Sequence, residues 1–150
     1  MRKWKRKSGP VTISYSARNE WGTPVKETVR SFDALAARLD SLAEELFVPK
    51  TDEHKPNHGG VHLHNAAGDV MGVGLTDEGW LLMYGKLNRT RIDWSLGHPR
   101  ARGDLEYCFE QLESLPRKYL ISREKALKVL SYWFETGRLS RSIKWLIEEY

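Results

Sequence analysis

The sequence predicts an α+β protein: an antiparallel sheet of about five to seven strands with two main helices packed on it. Three observations carry this. Several short segments alternate apolar and polar residues with the two-residue period of a strand. Two longer segments repeat apolar residues at helical spacing behind a serine suited to cap a helix. The strands come in runs broken by those helices rather than in strict alternation with them, which favours antiparallel pairing. At 150 residues the chain suits one domain.

Val11-Thr12-Ile13-Ser14-Tyr15 is the first alternating segment. Asn19-Glu20-Trp21-Gly22 reads as a turn, and Val25 to Val29 as the return strand of a hairpin. Ser31 stands at an N-cap, where its hydroxyl can accept from free first-turn amides. Behind it Phe32, Leu35, Ala36, Leu39, Leu42, Ala43 and Leu46 share one face, with Asp40, Glu44 and Glu45 mostly on the other, so a helix is expected over 32–46. Pro49 to Gly60, with its two prolines and two glycines, reads as a loop. Val61 to His64 and Asp69 to Leu75 read as strands around an Asn65–Gly68 turn. A second turn at Thr76–Gly79 leads into Trp80-Leu81-Leu82-Met83-Tyr84, apolar enough to be interior to the sheet.

Lys86 to Arg102 shows no clear period and sets five basic residues against Asp93 alone, so a basic loop is expected. Leu105, Tyr107 and Phe109 alternate as a strand, and Pro116 to Ile121 reads as a short extended piece. Ser122 is the second N-cap, with Glu124 in the first turn where the helix dipole favours an acid. Ala126, Leu127, Val129, Leu130, Trp133 and Phe134 form the second helical face, and Gly137 is placed to end it. Ile143, Trp145 and Ile147 alternate as a last strand.

Hydrophobic residues make up 40% and charged residues 29%, as in a folded globular protein. The net charge of +4 is unevenly spread. Residues 2–7 hold five basic side chains and no acid, leaving 19 basic against 20 acidic residues beyond them. A basic head over 1–9, expected to be solvated and poorly ordered, therefore precedes a near-neutral domain over 10–150, and the overall charge does not itself indicate nucleic-acid binding. The single Cys108 excludes an internal disulfide and a multi-cysteine zinc site, and suits a reducing compartment. No run approaches the ~18 apolar residues of a membrane helix. The segment after the head is too polar for a signal-peptide core, so a cytoplasmic location is expected.

Four of the five histidines, His54, His58, His62 and His64, fall close together. On a strand His62 and His64 point the same way, as a metal-gripping pair would. Val61 and Leu63 would then face the core and leave the histidines on a solvated outer face. No further histidine sits on an expected strand, so no metal or other cofactor is expected; a metal-dependent enzyme using His62 and His64 is the alternative. Cys108 has no histidine paired with it in sequence. Gly72 and Gly74 lack a following helix to present amides to a phosphate. They mark a strand that a helix or another backbone approaches closely. The basic head and the 86–102 loop, with Trp4 and Trp94, allow a second alternative, a small nucleic-acid-binding accessory protein.

The C-terminal third carries a resemblance. Tyr119 to Trp145, with Phe134, Thr136 and Gly137 ending an Ala-Leu-containing helix and Trp145 closing the segment, resembles immunity family one of bacterial polymorphic toxin systems. Gly72-Val73-Gly74 followed by Trp80–Tyr84 is similar to that family's glycine-marked strand and its successor, and Ala34-Leu35-Ala36 sits where the family has a helix. Leu139-Ser140 departs from it, since a proline is common there. The resemblance spans roughly residues 30–147 and implies a non-enzymatic protein that binds and neutralises a cognate toxin domain as a one-to-one complex. Such toxins are often cytosine deaminases acting on nucleic acid. An inhibitor covering a cationic substrate groove uses acidic and aromatic side chains. The expected contact residues are Asp52, Glu53, Asp77, Glu78, Trp80, Tyr84 and Trp94.

Overall fold

Ser31 and Ser122 start the two helices as expected, their hydroxyls accepting from the amides of Ala34 and Lys125, each at 3.1 Å. The computed structural model describes residues 9–16, 24–86 and 90–149; residues 1–8 of the basic head, the Asn19–Gly22 turn and residues 87–89 of the expected basic loop lie outside them. In chain order the elements are β1 (Val11–Tyr15), β2 (Val25–Val29), α1 (Phe32–Glu45), β3 (Asn57–His64), β4 (Val70–Thr76), β5 (Gly79–Gly85), β6 (Arg91–Leu96), β7 (Asp104–Cys108), β8 (Leu112–Pro116), a 3-10 turn (Arg117–Tyr119), β9 (Leu120–Ile121), α2 (Arg123–Thr136) and β10 (Lys144–Glu149). Gly137 ends α2 in the left-handed region at φ 71, and its amide donates to the Trp133 carbonyl at 2.7 Å. None of the described helices is long and apolar enough to cross a membrane.

The fold is α+β, with a larger sheet than expected: ten strands among the described residues, with the path β10-β6-β5-β4-β3-β1-β2. The excess comes from segments whose composition hides them. Arg91–Leu96 is strand β6, because Ile92 and Trp94 pack on one side of the sheet although basic residues surround them in sequence. Asn57–Gly60 is no loop but the start of β3, and His58, Gly59 and Gly60 are buried there. β8 has only Leu115 buried, too little to show a period. The expected extended piece at 116–121 is a 3-10 turn followed by the two residues of β9.

Two long strands each share one edge between two partners. β3 pairs antiparallel with β1 at His62–His64 and parallel with β7 at Asn57–His58, so the sheet is not purely antiparallel. β5 pairs with β6 at Met83–Gly85 and with β9 at Trp80–Leu81. Where β6 leaves off, the buried Ser95 hydroxyl accepts from the Leu82 amide at 2.8 Å and donates to the Tyr119 carbonyl at 2.7 Å. That satisfies two backbone groups which the change of partner leaves without a ladder bond.

Alternation along the strands makes two cores. Ile13, Val61, Leu63, Met71, Val73, Leu75, Trp80 and Leu82 face α1 and α2, where Leu35, Leu39, Leu42, Leu130 and Trp133 meet them. Leu81 and Trp94 face the other way, onto Leu105, Tyr107, Phe109, Leu115 and Tyr119 of the β7–β8 ribbon and the turn after it. Arg38 ties α1 to the β1–β2 hairpin by donating to Glu27 of β2 at 2.7 Å, while Glu45 of its own helix holds the same guanidinium at 2.6 Å. The glycines of β4 do mark a close approach, but by side chains: a Cβ at Gly74 would stand 2.6 Å from the Tyr107 ring, and one at Gly72 2.5 Å from Met83.

Candidate functional site

The four acids singled out in the sequence lie at one end of the sheet. A bridge between Val48 and Asn57 closes the 49–56 loop and hangs Asp52 and Glu53 at the start of β3. β4 runs antiparallel to β3 with Gly59 opposite Leu75, so the turn carrying Asp77 and Glu78 leaves the sheet at that same end. All four side chains are exposed. Glu78 is held by Arg117, which donates to its two carboxylate oxygens at 3.0 and 3.4 Å. Asp52, Glu53 and Asp77 form no ion pair among the described residues. The parallel register of Asn57 with Glu106 adds Glu106 and Asp104, two acids the sequence reading missed because only the β3–β7 pairing brings them here. Lys50 and Lys55 interleave with them.

The three aromatics expected beside these acids are built into the layers. Trp80 is 2% exposed on the helix side, under the Arg123 guanidinium at 5.7 Å, and Arg123 also grips Asp40 of α1 at 2.6 and 2.8 Å. Trp94 is 5% exposed on the opposite side, stacked on Tyr119 at 4.9 Å. Tyr84 donates to the buried Asp69 at 3.2 Å and shows an edge to a cleft described below. Their indole and phenol rings hold sheet to helices and sheet to ribbon, leaving little surface for a partner.

His62 and His64 share a face as expected, their ring centres 6.4 Å apart. That face is only partly open to solvent, because the β7–β8 ribbon crosses it and leaves both histidines half-buried. His62 packs on Phe109 at 5.6 Å with its Nδ1 3.9 Å from Glu110, and His58 is buried between Phe47 and Tyr107. Among the described residues no group of three or more His, Cys, Asp or Glu is placed to hold a metal, and two imidazoles do not complete a zinc site. Burial also lifts the Cys108 thiol above its ordinary range, the wrong direction for a nucleophile.

Burial pushes the imidazoles of His58 and His62 below their ordinary value of 6.5, outweighing the pull of Asp77 and Glu78 on the first and of Glu110 on the second. The native state then binds fewer protons than the unfolded chain. Their contribution to stability is complete above pH 6.5 and is lost as the pH falls through the lowered folded values. Thermal unfolding followed against pH is expected to show Tm falling below that point. A His58→Gln, His62→Gln variant should lose that part of the slope whatever its stability at higher pH; an unchanged slope would show that the histidines are not its source.

A cleft of about 1110 Å³ opens between the end of α2, the 137–143 segment and the β10–β6 edge. Lys86, Arg91, Arg138, Arg141 and Lys144 surround it, and its acid, Asp93, is taken by Arg91 at 2.8 and 3.1 Å.

The family model for immunity protein Imm1 matches residues 22–146. This chain belongs to the Imm1 immunity protein family. No curated protein and no solved structure matches it. The Imm1 match takes in both helices and the glycine-marked strand, together with Phe134, Thr136, Gly137 and Trp145. Those residues have structural work: Phe134 is in the helix-side core, Gly137 stops α2, and the Trp145 indole donates to the Ser140 carbonyl at 2.8 Å. Membership of Imm1 thus points to an immunity role and to a non-catalytic one, while Phe134, Gly137 and Trp145 serve as core, helix stop and packing rather than as a contact face.

Proposed function

We propose that this Imm1 protein binds a cognate bacterial toxin domain one-to-one in the cytoplasm and neutralises it by occluding its active site. The toxin class is a cytosine deaminase acting on nucleic acid. The family match over residues 22–146 carries the reading. The face assigned to the toxin is the acid-bearing end of the sheet, with Asp52, Glu53, Asp77 and Glu78, because a nucleic-acid groove is lined by cations and is complemented by carboxylates. Two strand-end loops reaching from one rigid edge suit insertion into such a groove. Because the body as a whole is near neutral, the complementarity to such a groove rests on local charge at this end.

The reading predicts a toxin-like protein encoded beside this gene, and the test is co-expression with that protein's C-terminal domain. Survival of the host together with a one-to-one complex on co-purification is the expected result. A host that dies, with no complex recovered, overturns the pairing. The cations around the α2–β10 cleft favour a second reading, nucleic-acid binding. It predicts affinity for single strands that falls steeply with salt and is lost on reversing the cleft cations, while reversing Asp52, Glu53 and Asp77 leaves it unchanged.

A further inference from the structure

The sheet ends at β10, which pairs with β6 and with no other strand among the described residues. An edge strand turns alternate backbone amides and carbonyls outward, ready to pair with another chain, and proteins usually blunt such edges with charge, proline or a bulge. β10 is six residues of regular ladder, from Lys144 opposite Leu96 to Glu149 opposite Arg91. It leaves Leu146 36% and Ile147 51% exposed. The opposite edge, β2, shows Lys26 and Thr28 instead.

Lys144-Trp145-Leu146-Ile147-Glu148 is its own complement when read backwards. Antiparallel pairing of two copies about a two-fold axis at Leu146 sets Lys144 against the second copy's Glu148, Trp145 against its Ile147, and Leu146 against its Leu146. Each pair falls on one face, because residues opposite each other about such an axis share odd or even parity. Trp145 packs on the helix-side core, and Leu146 lies opposite Trp94 of the ribbon-side core. The Trp–Ile pairs therefore lie on the helix face. The two Lys–Glu pairs and the Leu–Leu pair lie on the ribbon face. Aromatic with β-branched, aliphatic with aliphatic and opposite charges are the cross-strand pairs that stabilise a sheet.

We propose that a second copy of this chain occupies the β10 edge, joining the two sheets into one through an isologous antiparallel strand pair. The contact is independent of the toxin reading and lies at the β10 edge, two strands from β5 and the turn that carries Asp77 and Glu78. One strand pair is a small interface, so the dimer shows as a concentration-dependent mass in sedimentation equilibrium of the full chain.

The exposed Lys144 and Glu148 allow a charge test that leaves the core untouched. Lys144→Glu alone and Glu148→Lys alone each turn two attractive pairs repulsive and should weaken dimerisation by roughly tenfold or more. An equimolar mixture of the two variants should restore a dimer, a heterodimer, since each reversed charge then faces an opposite one. The double variant Lys144→Glu, Glu148→Lys should recover the wild-type constant. A wild-type chain that stays monomeric across the series overturns the proposal. So do single variants that dimerise as tightly as wild type, or a mixture no tighter than either variant alone.

Discussion

Truncating Tyr107 to alanine is expected to lower the unfolding free energy by about 3–5 kcal/mol, a large share of the ~5–15 kcal/mol that holds a domain of this size. The ring is 1% exposed and fills the space above Gly74, beside Phe109 at 5.7 Å and His58 at 6.0 Å. It is the centre of the contact by which the β7–β8 ribbon covers the far face of the sheet. Gly74→Ala makes the complementary error, since its Cβ would stand 2.6 Å from the ring and 3.3 Å from the Leu81 Cβ. Overpacking there should cost about 1–3 kcal/mol. The two changes share one volume, so the double variant should cost clearly less than the sum of the singles when all are compared by urea unfolding. Additive costs would mean that the ring does not rest on this glycine.

Reversing the free acids at the sheet end should produce the largest functional effect. The variant Asp52→Lys, Glu53→Lys, Asp77→Lys changes exposed groups that form no ion pair among the described residues, so folding should be unaffected. Toxin association is expected to slow by roughly 10²-fold at low salt, with a much smaller difference at high salt, as rim charges act mainly through steering and are screened. Glu78 is left in place because Arg117 anchors it. Reversing Lys144 and Arg141 to glutamate, beside the α2–β10 cleft, should leave association unchanged. Equal association of the acid variant and wild type would move the toxin face elsewhere on the chain.

The helices and their ends were legible in the chain because capping is local chemistry. Ser31, Ser122 and Gly137 each act within four residues of themselves, and the apolar faces behind them repeat within one turn. β1, β4 and β5 were legible because each buries one side, or both, in a run long enough to show it; β2 and β10, which bury no residue fully, were legible from local pattern alone. The acids Asp52, Glu53, Asp77 and Glu78 could be read as exposed because loops and turns are solvated.

What lay beyond the sequence is whatever depends on a distant partner. A glycine and histidine run at Asn57–Gly60 has a loop's composition and becomes strand because β7, nearly fifty residues later, pairs with it and Phe109 settles on Gly60. Trp80, Tyr84 and Trp94 have the composition of an interface, yet two cores, one on each side of the sheet, claim them. The histidines alternate as expected, but whether their face meets water is decided by a ribbon folded across it. The chain by itself determined the helices, the main strands, the family and the acids at the surface, since these rest on short-range pattern. Tertiary structure alone decided which strands share an edge, which aromatics are buried and which acids converge at one end, because sheet pairing joins residues whose separation along the chain carries no periodic signal.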